Sequence, residues 1–332
     1  MTLELNAASA AGYLVDRGLL PDQRGAKASE LPGGVSSTTI VVETNELSVV
    51  VKHALPRLKV DDEWLADPRR SITEARALAV WNALLPGTAP RLLDTDEVNC
   101  TLVLEMAPSH WRSWRTELEA GRADILVAQG LGRCLARWHT SSSLQPSLME
   151  RFDDPGAFEE VRVDPYHRTV MKRLPAAASA ISTYIDRMSA NRRCLIHGDF
   201  SPKNVLVGDG RFWVLDFEVA NRGDPAFDLA FMTHHLLLEA IRRPEHTKQL
   251  LVAARVFWDS YYGAVEAELA PDRRYAIGHT ACLILARLDG KSRIAGLDQD
   301  QVSVARHLGL SLLADTPSDL MAVARRIGSP SS

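Results

Sequence analysis

The sequence holds no C-x-x-C pair, and its four cysteines, Cys100, Cys134, Cys194 and Cys282, lie far apart in 332 residues. That scatter argues against a disulfide framework or a zinc site and fits reduced thiols. Nowhere do about eighteen apolar residues run uninterrupted, so no membrane span is expected. The stretch from Met1 to Leu20 lacks a basic start and carries Glu4 and Asp16, which is not the pattern of a signal peptide. An excess of positive charge is missing as well, the net charge being −4. The chain therefore offers neither a basic stripe for nucleic acid nor a polybasic arm for a membrane surface. No internal repeat or low-complexity tract occurs. These absences leave a globular, cytoplasmic protein with length for about two domains. They predict no nucleic-acid or membrane partner and leave the oligomeric state open.

What is present changes character near residue 107. Residues 7–19 read as a short amphipathic helix with Asn6 as N-cap. Leu31-Pro-Gly-Gly-Val-Ser-Ser37 is a turn-rich, glycine-containing segment that feeds a β-branched strand over 38–43. Asn45 and Glu46 turn the chain into a second strand over 47–52, making a hairpin. Asp67-Pro68 opens a helix whose apolar positions run through Ile72, Ala75, Leu78 and Trp81, before Pro86, Gly87 and Pro90 break it. Strands follow over 91–94 and 101–105. Beyond Pro108 helical patterns dominate, over about 117–140, 168–190, 226–241, 247–267 and 273–287. One β-rich island interrupts them: 204–207, a Gly208-Asp-Gly210 turn, then 211–217. The pattern predicts an α+β chain of two domains, a small β-rich one over 1–107 and a larger, mostly helical one over 108–332. Their formal charges are −5 and +1.

The chemistry concentrates in Leu195-Ile-His-Gly-Asp-Phe-Ser-Pro-Lys-Asn204 and Trp213-Val-Leu-Asp-Phe-Glu218. Phosphoryl transfer from ATP asks for a carboxylate that orients the attacking hydroxyl and accepts its proton. It also asks for oxygen ligands that hold Mg²⁺ against the phosphates. Asp199 fits the base, and Asn204 and Asp216 fit the metal ligands. Each alone reads as a turn or capping residue. In this order, within a strand–loop–hairpin context, they match the H-R-D-x-x-x-x-N and D-F-G elements of kinases, written here H-G-D-x-x-x-x-N and D-F-E. Lys52 at a strand end and Glu74 in the next helix fit the lysine–glutamate pair that holds the α- and β-phosphates.

The segment around Asp199 resembles the catalytic loop of the aminoglycoside phosphotransferase and choline kinase superfamily, small-molecule kinases of protein-kinase-like fold. Gly198, where protein kinases carry arginine, marks that branch. Gly223-Asp-Pro-Ala-Phe-Asp-Leu-Ala230 fits it too, with Asp224 capping a helix that starts at Pro225 and Asp228 turned back to brace the loop. The resemblance implies a bilobal fold, ATP and Mg²⁺ as cofactors, and a small-molecule hydroxyl acceptor. It implies a structural, bracing role for His197. Gly33, Gly34, Ser36 and Ser37 would approach the nucleotide phosphates, and the backbone at Glu105 and Met106 would meet adenine. Val51-Lys-His-Ala-Leu-Pro-Arg57, Glu63-Trp64, Asp67-Pro-Arg-Arg70 and the D-x-E at Asp216 are similar to the methylthioribose kinase branch. The loop form Ser201-Pro-Lys-Asn204 is closer to the general phosphotransferase pattern.

In that superfamily the acceptor lies on the helical lobe, where Trp258, Tyr262 and Arg287 are candidates beside their alternative roles in packing and solvated helix ends. A +1 charge there does not advertise a site for polycationic aminoglycosides, and a sugar, polyol or sugar-like metabolite is the preferred acceptor. An antibiotic phosphotransferase stays open as an alternative. A protein-kinase-like regulator fits less well, because no Ala-Pro-Glu triplet follows Asp216. A non-catalytic nucleotide binder need not keep Asp199. His234 and His235 have no ligand partners at metal spacing and are expected to pack or lie on the surface.

Overall fold

The computed structural model describes residues 5–32, 34–59 and 64–328. Gly33 and Glu63, singled out in the sequence, lie outside that set. The described chain forms two compact units. One comprises residues 1–110 with 215–218, the other 111–214 with 219–332. A division at residue 107 places Leu215–Glu218 in the second unit, whereas the structure packs it into the first.

The first unit is built on a five-stranded antiparallel sheet of order β1-β2-β3-β5-β4. Its strands are β1 (Lys27–Glu30), β2 (Ser37–Glu43), β3 (Ser48–Ala54), β4 (Leu92–Asp96) and β5 (Thr101–Glu105). The sequence left β1 within a polar stretch, since its four residues are mostly exposed and carry no apolar alternation. Alternate residues Ile40, Val42, Val49 and Val51 point to one face, where they pack with Tyr13 and Leu14 of the helix Ala10–Asp16. Asn6 Oδ1 accepts from the amides of Ala8 and Ser9, so it caps the turn that leads into that helix. Strand parity then sends Lys52, next to Val51, to the opposite face. The helix Arg70–Leu84 supplies Glu74 to it there.

In the second unit, β6 (Arg112–Ser113), β8 (Val205–Gly208) and β9 (Arg211–Val214) form one small sheet; β7 (Cys194–Ile196) and β10 (Asn221–Gly223) form another. The β8–β9 turn places Asp209 and Gly210 at φ of 53° and 68°, the two left-handed residues of a tight hairpin. Helices make up the rest. Ile125–Ser143 packs on Thr247–Tyr262, and Pro225–Arg242 packs on Arg273–Asp289. The first of these contacts is close because Gly132 has no side chain: a Cβ there would lie 2.4 Å from the Phe257 carbonyl oxygen.

Two helices read as continuous are interrupted. Residues 117–140 are split between Trp114–Glu119 and Ile125–Ser143, where Gly121 takes a φ of 73° and Asp124 caps the second helix. Residues 168–190 are split at Pro175, which opens a fresh helix to Ala190. Ahead of that break, Glu159–Arg168 winds as a wide π-type helix with Pro165 inside it. Such wide turns are uncommon and recur at functional positions.

Candidate active site

Each unit carries half of the predicted chemistry. In the first, Lys52 Nζ lies 2.8 and 2.7 Å from the two Glu74 carboxylate oxygens and 2.5 Å from Asp216 Oδ1. Burial would lower the pKa of Lys52, but the Asp216 and Glu74 carboxylates outweigh it and hold the amine above the ordinary lysine range. It stays a fixed positive charge. Asp216 sits at a φ of 70°, a conformation few residues other than glycine, asparagine and aspartate tolerate. Strain of this kind persists where the surroundings over-determine the backbone, as at ligand sites.

Sequence reasoning missed the hub beside this pair. Arg70 is buried and donates from Nε to Glu218 Oε2 at 2.9 Å. Its Nη2 reaches the carbonyls of Ser36 and Leu55, at 2.5 and 2.9 Å. One guanidinium thus ties the glycine-containing turn, the segment after β3 and the D-x-E stretch together. Arginine suits this because its planar fork carries five donors. Among the described residues, carboxylate oxygens of Glu74, Asp216 and Glu218 lie within 4.8 Å of one another. Their hard-oxygen donor chemistry fits Mg²⁺.

The other nucleotide candidates are placed as follows. A Cβ on Gly34 would lie 2.8 Å from the Ser37 carbonyl, so the turn closes only around glycine. Ser37 is buried, with its hydroxyl 3.3 Å from that of Thr39. Glu105 closes β5 and its carboxylate accepts from Arg91 Nε at 3.1 Å; Met106 follows it, half-buried.

In the second unit the loop after β7 is held rigidly. Asp224 caps the helix Pro225–Arg242 by accepting from the Ala226 amide. One turn later, Asp228 Oδ2 and Oδ1 accept from the amides of His197 and Gly198 at 2.6 and 2.8 Å. His139 Nε2 lies 3.2 Å from the same carboxylate. His197 is buried and accepts the Asp199 amide at Nδ1, which is the bracing role. Gly198 has a φ of 76°, and a Cβ there would lie 2.8 Å from both the carbonyl oxygen and a methyl of Val219. Gly198→Ala is expected to cost about 1–3 kcal/mol in backbone strain. Denaturant unfolding against the wild type measures it; an unchanged midpoint would show that the loop does not need this conformation.

Asp199 is almost fully buried. Its Oδ2 accepts from Asn204 Nδ2 at 2.8 Å, Arg162 at 2.9 Å and Lys203 at 2.9 Å. Asn204 Nδ2 also donates to the Asp199 carbonyl at 3.0 Å. With the amide nitrogen committed to two acceptors on Asp199, the Asn204 oxygen is turned the other way. In the sequence Lys203 stands out only as part of the loop motif, and Arg162 does not stand out at all. No periodicity could have flagged Arg162, because it rises from the π-type helix.

Of the acceptor candidates, Trp258 is corrected by its surroundings. It is 1% exposed and donates from Nε1 to Thr233 Oγ1 at 2.6 Å, so it is a core residue with no face to offer a ligand. Tyr262 donates its hydroxyl to the Pro271 carbonyl and stacks under Arg273 at 4.0 Å. Arg287 is half-buried and donates to Ser292. His234 is buried and His235 half-buried; burial is the first cause that holds both imidazoles neutral.

A β-sheet unit with a lysine–glutamate pair and a helical unit with a braced H-G-D-x-x-x-x-N loop define a kinase that acts on small molecules. Residues 27–267 match the phosphotransferase enzyme family, and the chain belongs to it as an ATP-dependent small-molecule kinase. A methylthioribose kinase of Geobacillus sp. (strain WCH70) is 25% identical over an alignment covering 89% of this chain and 85% of the relative. One of Bacillus cereus (strain B4264) is 23% identical, with 89% and 86% covered. Among solved structures, an ethanolamine kinase of Plasmodium vivax has a TM-score of 0.52 at 11% identity, covering 98% of this chain and 89% of its own. A spectinomycin phosphotransferase has a TM-score of 0.52 at 13% identity, covering 98% and 99%. These two share the fold. Among the described residues no helix is long and apolar enough to cross a membrane.

Proposed function

We propose that the chain transfers the γ-phosphoryl group of ATP to a hydroxyl of a sugar-like small molecule, with Asp199 as the base. In that reaction the acceptor oxygen bonds to the γ-phosphorus, the bond to the β-phosphate oxygen breaks, and ADP leaves. Asp199 takes the hydroxyl proton. The observation that carries this reading is the braced carboxylate: Asp228 and His197 fix the backbone on either side of Asp199, and three donors fix its Oδ2. A carboxylate held in this way is pre-organised to orient a nucleophile.

Lys52, positioned by Glu74, is the group that meets the α- and β-phosphates. Asn204 and Asp216 are the residues that would hold Mg²⁺, whose chemistry is to offset charge on the phosphate oxygens. Gly34 and Ser36 offer backbone to the phosphates, with Gly33 beside them outside the described residues. Glu105 and Met106 offer the strand exit to adenine.

The sugar-like acceptor is supported by the relatives named methylthioribose kinase and by the absence of a net acidic balance in residues 108–332. The test is a screen of sugars, nucleosides, amino alcohols and aminoglycosides for acceptor-dependent ADP release. Within this panel, the sugars and polyols are expected to give higher kcat/KM than the nucleosides, amino alcohols and aminoglycosides. Turnover confined to aminoglycosides would replace this acceptor class.

A further inference from the structure

Arg162 and Lys203 meet at Asp199, and Arg287 acts from a third element on the neighbours they share with it, Tyr166 and His235. Arg162 comes from the π-type helix Glu159–Arg168, Lys203 from the loop, and Arg287 from the end of the helix Arg273–Asp289. Aromatic walls hold them. The Arg162 guanidinium lies 5.7 Å from the Tyr166 ring and 5.3 Å from that of Phe231, and Phe231 lies 5.5 Å from His235. The Lys291 amide donates to the Pro165 carbonyl, docking the loop after Arg287 onto the π-type helix at Tyr166.

The charges are unequal. Arg162 and Lys203 share one carboxylate oxygen of Asp199. Arg287 has no carboxylate of the described residues within ion-pair distance; its Nη1 donates only to the Ser292 carbonyl and hydroxyl, and its Nε is buried with no hydrogen-bond partner. The Arg287 charge is thus left without a carboxylate partner among the described residues, in a half-buried setting. The neighbours register it. Burial raises the Tyr166 pKa, yet Arg287 and Arg162 outweigh it and bring the phenol below its ordinary value. His235 is held neutral first by burial and further by the charges of Arg287, Lys203 and Arg115. A guanidinium removed from water without a counter-charge is costly, and an oxyanion is the group its fork fits best.

We infer that the acceptor carries an oxyanion, a carboxylate or a phosphate, and that Arg287 docks it while Arg162 positions Asp199. The inference rests on the kinase reading for the role of Asp199 and narrows its substrate class from neutral sugars to hydroxylated acids or sugar phosphates.

The decisive experiment reads binding separately from transfer. The full chain is titrated calorimetrically with sodium sulfate and with sodium acetate, at ionic strength held constant with chloride. The wild type, Arg287→Gln and Lys52→Met are compared, the last because the nucleotide phosphate site also attracts oxyanions. Arg287→Gln is expected to weaken binding about 10–100-fold, the worth of a charge-assisted hydrogen bond, while Lys52→Met retains it. Equal affinity in wild type and Arg287→Gln, or loss only in Lys52→Met, overturns the proposal. Should Arg287→Gln not fold, Arg287→Lys decides: it keeps the charge and loses the planar fork, so acetate binding should fall, and an unchanged affinity is again fatal.

Transfer assays then compare matched neutral polyols, their sugar acids and their phosphate esters. Preference for the acid identifies a carboxylate, and preference for the ester identifies a phosphate. Turnover of neutral members at equal or better kcat/KM overturns the oxyanion while leaving the kinase reading intact. Intact sulfate binding with no transfer to any acceptor would instead count against the kinase reading.

Discussion

Asp199→Asn is expected to lower kcat by about 10²–10⁴-fold, the usual contribution of a general base, with ATP affinity little changed. Asparagine keeps the shape and one acceptor oxygen, so Asn204 Nδ2, Arg162 and Lys203 still find a partner there. What is lost is the atom that takes the proton. Alanine is a harsher change. It removes the carboxylate that pairs with the buried Arg162, and breaking a buried pair in this way typically costs about 3–5 kcal/mol. The measurement is acceptor-dependent ADP release beside nucleotide binding and a thermal melt for both variants. Near-wild-type turnover in the asparagine variant would remove Asp199 from the role of base. A nucleotide affinity lost together with turnover would show that Asp199 serves binding instead.

Asp216→Asn tests the other unit. Asparagine tolerates the left-handed backbone that Asp216 adopts, at a φ of 70°. The substitution therefore removes charge with little change in strain. Lys52 keeps Glu74 at 2.7 Å, so the strand–helix tie survives. The expected result is a loss on the order of 10²–10³-fold in kcat/KM for ATP, the scale for removing one pre-organised electrostatic partner of a reacting group. Calorimetry of ATP binding with and without Mg²⁺ gives the sharper reading. The wild type should bind more tightly with the ion, and the variant should lose that difference. If the ion helps both proteins equally, Asp216 is not its ligand. A matching fall in thermal stability would point to the Lys52 contact alone.

Several parts of this arrangement were legible before any coordinates because they are local. Asn204 follows Asp199 by five positions, and a loop that short must keep them together. Asp-Gly at 209–210 specifies a tight hairpin by its tolerance of positive φ. Asp224 before Pro225 specifies a helix start, and Asp228 one turn later can only face back toward what precedes the helix. Lys52 and Glu74 were legible by a different route, as a lysine at a strand end and a glutamate in the helix that follows. Arg70 and Glu218 were not legible as a pair, being 148 residues apart. The reading of Trp258 as a ligand residue failed for a related reason. Helical spacing says which residues share a face but not what covers it, and Thr233 covers this one.

The sequence by itself determined the chemistry and the local frames: a carboxylate and an amide on one loop, a second carboxylate behind a hairpin, a lysine at a strand end. Backbone propensities and short-range hydrogen bonds act within a few residues, so they can be read in order along the chain. Only the tertiary structure decided which charges meet. It moved Leu215–Glu218 into the sheet unit beside Lys52 and Arg70, and it brought Arg162 and Lys203 onto Asp199. Such pairings are set by desolvation and packing between distant segments. A buried charge takes the partner that the fold presents, whatever its distance in sequence.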